Sequence, residues 1–249
     1  MNSHELDSLC EYLTESKATM ALTGAGVSVE SGIPTFRGVQ GLWEKYDIME
    51  FAHIDSFRRD PAKVWRMLLE LDRTILGARP NPAHLALAEM EKMGLLRMVV
   101  TQNVDNLHQK AGSREVVEFH GNSQNFRCLE CGRAYSRGAI DLDKLPPRCY
   151  CNGLIKPDVV FFGEAIPWAA NLKAFEMAKR CDLILVIGTS AVVAPAGEIP
   201  VMAKQCGAKV VEINPEETVL TGCVSDLLLK GSASEILFSA VQTIKQRRR

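Results

Sequence analysis

Ala18-Thr19-Met20-Ala21-Leu22-Thr23-Gly24-Ala25-Gly26-Val27-Ser28 runs from an apolar stretch straight into a glycine-rich turn. A short apolar run closed by glycines predicts a buried strand feeding a loop. Four further runs have the same design. Leu96–Thr101 ends on Gln102-Asn103-Val104-Asp105, Val116–Phe119 on His120-Gly121-Asn122, Leu183–Ile187 on Gly188-Thr189-Ser190, and Lys209–Ile213 on Asn214-Pro215-Glu216. Helical patterns separate them: Pro61–Leu76, His84–Met93 with Gly94 as its stop, Ala169–Arg180, and Pro195–Cys206 stopped by Gly207. Strands alternating with helices predict an α/β fold with a parallel sheet. In such sheets ligands bind beyond the carboxyl ends of the strands, so five polar segments are expected to meet at one edge.

A chain of 249 residues, 47% hydrophobic and 24% charged, is long enough for one large domain carrying a small insert. A net charge of −1 gives no bulk attraction to nucleic acid or to an acidic membrane, so neither is expected as a partner. Met1 to Glu15 is polar and acidic, without the apolar core of a signal peptide. The expectation is a cytoplasmic protein in a reducing compartment. Arg247-Arg248-Arg249 reads as a solvated tail. Cys10, Cys181, Cys206 and Cys223 are scattered and read as small buried apolar residues.

The other four cysteines are grouped. Cys128-Leu129-Glu130-Cys131 is followed, after seventeen residues, by Cys149-Tyr150-Cys151. Four thiolates at this spacing suit one tetrahedral zinc, and four protein ligands leave no open position, so the metal is expected to be structural. The second pair is one residue shorter than usual, and Asn152-Gly153 supplies a tight turn to close it. The surrounding Gly121–Lys156 segment has few long apolar runs and needs such a staple. Its nine charged residues, six basic and three acidic, read as a solvated surface.

The remaining motifs each have a plain reading. Gly24-Ala25-Gly26 lets backbone approach a pyrophosphate at a helix start, yet Val29 stands where a dinucleotide fingerprint has its third glycine, and a lone GxG is often only a tight turn. Asn103 and Asp105 can face a ligand, or serve as a helix cap and first-turn partner. Val159-Val160-Phe161-Phe162-Gly163-Glu164 is either a buried strand or a strand that pairs with a peptide. Among His4, His53, His84, His108 and His120, the last is the candidate base. It ends its own strand just before a glycine, where a side chain is both presented and held; His84, at a helix start, reads as structural.

In this order the motifs resemble the sirtuins, NAD-dependent protein-lysine deacylases, over about Ala18 to Ala233, with the small bacterial and archaeal members the most similar. The resemblance implies a Rossmann-like large domain (about 1–35, 77–120 and 158–249). It also implies a small domain made of a helical insert (about 36–76) and a zinc-ribbon module (121–157). It implies NAD contacts from Gly24, Ala25, Gly26, Ser28, Ile33, Phe36, Arg37, Trp43, Gln102, Asn103, Val104, Asp105, Gly188, Thr189, Ser190, Asn214, Pro215, Glu216 and Ala233. Phe36 would shield the reacting ribose carbon, and Asp105 would accept from the nicotinamide amide. Arg37, Asn103 and His120 would be catalytic, with His120 deprotonating a ribose hydroxyl after the acyl oxygen displaces nicotinamide. Cys128, Cys131, Cys149 and Cys151 would hold one zinc ion. Residues 159–164 would bind acyl-lysine proteins or peptides. Thr35 stands where many members carry Asp.

Members that prefer succinyl or malonyl groups carry a Tyr and an Arg in the helix after the cofactor loop. Aligned on Asp60-Pro61, those positions here are Leu68 and Leu71. An apolar wall gives a buried carboxylate no partner. Neutral acyl groups, from acetyl to longer chains, are therefore the expected substrates. Alternatives from other classes are a protein mono-ADP-ribosyltransferase and a non-catalytic NAD-responsive binding protein. An ordinary dehydrogenase is disfavoured by the incomplete glycine fingerprint and the metal insert.

Overall fold

A computed structural model describes residues 3–35 and 41–248. Its strands, in chain order, are β1 (Thr19–Thr23), β2 (Met98–Thr101), β3 (Val116–Glu118), β4 (Gly121–Cys128), β5 (Ala134–Ser136), β6 (Ile155–Val159), β7 (Leu183–Ile187), β8 (Lys209–Asn214) and β9 (Leu227–Lys230). Six of them form a sheet in the order β3-β2-β1-β7-β8-β9, and every neighbouring pair in it is parallel. Alternation along the strands sends Ala21, Leu185 and Val211 to one core and Met20, Leu22 and Ile184 to the other. Both faces are thereby buried, which accounts for the continuous apolar runs. The helices Ser3–Glu15, Pro82–Lys92 and Ala233–Arg247 cover the first face; Trp168–Arg180 and Glu198–Gln205 cover the second.

From β1 the chain winds outward through β2 and β3, then returns to place β7 on the other side of β1. The order reverses between β1 and β7, which is where an open α/β sheet leaves its ligand crevice. The helices and strands expected from the sequence are present, with the differences lying in boundaries and in elements the pattern did not mark, among them the Ser3–Glu15 helix. The expected Pro195–Cys206 helix starts only at Glu198, because Gly197 donates its N–H to Val193 in a tight turn. β9 and the Ala233–Arg247 helix are not marked by the strand and helix signals used above: Leu-Leu-Leu-Lys lacks β-branched residues, and its identity as a strand comes from pairing with β8.

β4, β5 and β6 make a second, antiparallel sheet. The Pro61–Gly77 helix packs on it: Trp65 stacks on Phe126 at 6.1 Å and donates its indole N–H to the Ile155 carbonyl at 3.0 Å. Ile54, Phe57, Val64, Phe161, Cys128 and Cys149 complete this separate core. Among the described residues, no helix is long and apolar enough to cross a membrane.

Candidate functional site

The strand ends converge as the pattern predicts. Gly24 and Gly26 at the end of β1 donate their N–H groups to the Ile187 and Gly188 carbonyls at the end of β7, at 3.1 and 2.8 Å. A Cβ on Gly24 would lie 2.7 Å from the Thr189 Cβ, and one on Gly26 would lie 2.7 Å from the Gly188 Cα. A Cβ on Gly188, at φ +58°, would lie 2.4 Å from the Val27 nitrogen. These glycines are thus needed for close approach of two loops at the switch point. The segment after them is a seven-residue 3-10 helix, Ala25–Ser31, not the α-helix N-terminus expected from the sequence. The N–H groups of Gly24, Gly26 and Val27 are already engaged within the protein, so the cradle contributes its surface and shape to a pyrophosphate more than a nest of free amides. Gly26→Ala should cost roughly 1–3 kcal/mol of stability, since neither contact can yield without backbone movement. Urea denaturation measures it, and an unchanged midpoint would show the two loops to be less tightly apposed.

Behind this cradle lies a buried polar network that the sequence did not reveal as one unit. The Ser28 hydroxyl is fully buried; it donates to Asp105 Oδ2 at 2.7 Å and accepts from Asn103 Nδ2 at 3.0 Å. His84 Nδ1 lies 3.3 Å from the Asn81 backbone nitrogen and 3.0 Å from Asn81 Oδ1, and its Nε2 lies 3.4 Å from Ser28 Oγ. Burial holds His84 near pKa 4 against the pull of Asp105. His84 is thus both the structural cap expected of it and a wall of the site. His108 is buried against Thr23 (2.9 Å) and is excluded as the base; burial pushes its pKa well down. Asp105 also accepts the Leu107 N–H at 2.9 Å, so the helix-turn reading and the site reading hold together. Asn103 caps no helix, and its Oδ1 is buried without a partner among the described residues. A buried acceptor left open in this way fits a ligand hydroxyl or amide.

His120 stands at the mouth. Its Nδ1 donates to the Gln102 carbonyl at 3.1 Å, which fixes the tautomer with Nε2 as acceptor. Burial lowers its pKa below 6.5, so the ring is neutral at pH 7. Gln102 reaches across to Thr189 Oγ1 at 2.9 Å, and Asn214 donates to the Thr189 carbonyl at 3.2 Å. The ends of β2, β7 and β8 are thereby tied together. Ser190, Pro215 and Glu216 are exposed on the rim, and Ala25 and Ala233 are half-buried. Ser232, the cap before Ala233, bonds to Glu30. Ile33 is buried with Ile75, Ala78 and Leu107, against Leu71 and Val104.

The 159–164 segment is extended and already partly paired. Val160 donates to the His120 carbonyl at 2.9 Å, and Phe162 exchanges backbone bonds with Ala52 and Ile54. Phe162 is exposed, whereas Phe161 points into the small core against Phe57. Glu164 is a structural clamp, not an exposed contact: one oxygen accepts from both the Phe161 N–H (2.8 Å) and the buried Lys156 ammonium (2.9 Å). Leu68 and Leu71 line a narrow cavity of about 50 Å³ with Trp65, Phe126, Val104 and Val159. Val104 and Val159 belong to the two segments flanking His120, so this cavity backs onto the candidate reacting centre. Phe36 and Arg37 lie outside the described residues, as does the Trp43 side chain.

The four cysteine sulfurs of the clip lie within 4.8 Å of one another. Cys128 to Cys151 is 3.6 Å and Cys131 to Cys149 is 3.5 Å, too long for disulfides. Sulfurs about 2.3 Å from a central zinc sit roughly 3.8 Å apart on a tetrahedron. The short CxC closes because Asn152 adopts φ +67° and Gly153 leaves room for Cys128 Sγ, which a Cβ there would meet at 2.7 Å. The Tyr135 hydroxyl donates to Cys149 at 2.9 Å and is the main cause of a thiol pKa lowered to about 6. Three of the basic residues that read as plain solvated surface are committed: Arg127 pairs with Asp158, Lys156 is buried on Glu164, and Arg137 turns inward to Asp72.

Comparison with known proteins agrees with this geometry. The Sir2 family profile matches residues 24–195. The chain is 48% identical over 244 residues to NAD-dependent protein deacylase 2 of Pyrobaculum aerophilum, covering 97% of this chain and 96% of that one. Among solved structures, it superposes on a Sir2 homologue–NAD complex with a TM-score of 0.91, at 43% identity over 98% of this chain and 95% of that one. It superposes with a TM-score of 0.90 on a Sir2 protein holding a deacetylated p53 peptide and 3′-O-acetyl ADP-ribose, at 38% identity over 96% and 98% of the two chains.

Proposed function

The chain belongs to the Sir2 family, and from that premise we propose that it removes acyl groups from protein lysines with NAD, releasing nicotinamide and O-acyl-ADP-ribose. The observation that carries this is His120, neutral, with Nδ1 locked on Gln102 and Nε2 left to accept a proton, beside the open Oδ1 of Asn103. A protein that merely bound a dinucleotide would need neither.

NAD, when bound, supplies a ribose carbon open to attack by the acyl oxygen and hydroxyls that take up the acyl group. Gly24, Ala25, Gly26 and the Gly188-Thr189-Ser190 turn would shape its phosphate region, and Asn214, Pro215, Glu216 and Ala233 its adenosine end. Ser28, Gln102, Val104, Asp105 and Ile33 would enclose the nicotinamide side, with Phe36, Arg37 and Trp43 assigned there from sequence. Asn103 Oδ1 would orient a hydroxyl or water, and His120 Nε2 would receive the released proton. Val159, Val160, Phe162 and Gly163 would align the peptide, with Phe161 and Glu164 holding that bend. The Cys128, Cys131, Cys149 and Cys151 thiols fit one structural zinc. Outside the clip, Cys10 and Cys181 are buried as expected of them, whereas Cys206 and Cys223 are exposed; the cytoplasm is the proposed location. The proposed two-domain division into large and small parts is the one expected from the sequence, and no direct nucleic-acid or membrane contact is expected.

The test is a peptide panel (acetyl, butyryl, myristoyl and succinyl lysine) followed by mass for nicotinamide and O-acyl-ADP-ribose. Neutral acyl groups should be turned over, each added buried methylene contributing up to roughly 0.8 kcal/mol. The kcat/KM for succinyl should be at least about tenfold below acetyl, since a buried carboxylate without a partner costs more than 1.4 kcal/mol, roughly the tenfold equivalent. Comparable succinyl turnover would refute the apolar-wall reading. Transfer of labelled ADP-ribose to protein without deacylation would replace the proposed reaction with the transferase alternative.

A further inference from the structure

The cavity lined by Leu68 and Leu71 is apolar except at one place. Among the described residues lining it, Asp72 and Arg137 carry charge, and they form an ion pair with each other. The third polar residue, Ser123, spends its hydroxyl on the Val104 carbonyl at 2.8 Å. Asp72 comes from the Pro61–Gly77 helix, one residue after Leu71, and is buried. Arg137 comes from the zinc module, at the first turn after β5. Arg66 and Arg73 on the same helix are exposed and do not line the cavity. The cavity is therefore not devoid of a cation: it contains a guanidinium whose charge is already matched.

We propose that Asp72 is a specificity-determining residue of the acyl cavity, acting by neutralising Arg137. This rests on the deacylase reading above and deepens it. With Asp72 in place, an acyl carboxylate would meet a guanidinium whose charge Asp72 already offsets, and a carboxylate of like charge. Both effects select against acidic acyl groups. With Asp72 made neutral, Arg137 would face the cavity with an uncompensated charge and two-pronged donors suited to a carboxylate. The discrimination against acidic acyl chains is thus set by a helix residue and a zinc-module residue together, and not by the absence of arginine.

The experiment compares wild type, Asp72→Asn and the double variant Asp72→Asn/Arg137→Met on acetyl-, succinyl- and glutaryl-lysine peptides. The readouts are the succinyl-to-acetyl and glutaryl-to-acetyl ratios of kcat/KM, and peptide affinity by fluorescence anisotropy. Asp72→Asn should raise at least one ratio tenfold or more, with tighter binding of that peptide, and the double variant should return it to the wild-type level. The double variant removes the charge pair as a unit, which avoids leaving an unpaired buried cation, and thermal melting checks that both variants are folded. Unchanged ratios in a folded Asp72→Asn protein that still removes acetyl groups would overturn the proposal while leaving the deacylase reading intact. A rise that persists in the double variant would also overturn it, because Arg137 would then not be the receptor. Absence of NAD-dependent turnover of every peptide by the wild type would sink the deacylase reading, and this proposal with it.

Discussion

His120→Ala lowers kcat/KM for an acetyl-lysine peptide by on the order of 10²- to 10⁴-fold, the usual contribution of a positioned general base. The expectation follows from three features of the ring. Its Nδ1 is spent on the Gln102 carbonyl, so Nε2 is an acceptor. Its burial disfavours the imidazolium, so the base form dominates at pH 7. Its carbonyl accepts the Val160 N–H, which ties the base to the segment that aligns the peptide. The sign of the pH effect follows. A lowered pKa extends the neutral range downward, so the acid limb of kcat/KM should fall below pH 6.5, and activity should be lost only as pH drops through that limb. His120→Ala should abolish the limb along with the rate. Near-wild-type turnover by a folded His120→Ala protein, or an acid limb clearly above 6.5, would remove His120 from the base role. Lost turnover with NAD affinity retained would separate chemistry from binding.

Stripping the metal from the cysteine clip is the second large effect expected. Cys128 and Cys149 are buried in the same core as Trp65, Phe126 and Phe161, so the thiolates are part of the packing. In small metal-stapled modules the binding free energy is folding free energy, with apparent values of about 10–16 kcal/mol at pH 7. A chelator, or Cys128→Ser, should therefore unfold the small module, expose Trp65 and reduce activity at least about a hundredfold, though zinc itself touches no reactant. The bend at 159–164 explains the coupling: β6 runs directly into it, and Phe161 anchors in the module's core. Metal analysis should find about one zinc per chain, and tryptophan emission should shift red on its removal. Full activity with unshifted emission after verified metal loss would show the clip to be dispensable for the fold.

Sequence alone determined five of the six strands of the parallel sheet and the polar segments at their ends, because apolar periodicity and glycine punctuation are local properties. It also picked out the four cysteines that the fold gathers into one cluster, since chelation imposes spacing, and it proposed His120, since a strand end both holds and presents a side chain. What only the tertiary structure decided involves residues distant in sequence whose meaning is a contact. Gly24 and Gly26 read as a phosphate cradle, and only the fold shows that Gly188 and Thr189 also require them across the switch point. Glu164 seemed to face a peptide, and is held inward by Lys156. His84 gave a helix-cap signal and nothing to connect it with Ser28, 56 residues away. Arg137 read as one more charge on a solvated surface until the fold set it against Asp72. A side chain's charge and reach are written in its identity, but burial and partnership are set by which elements pack together, and that depends on the whole chain at once.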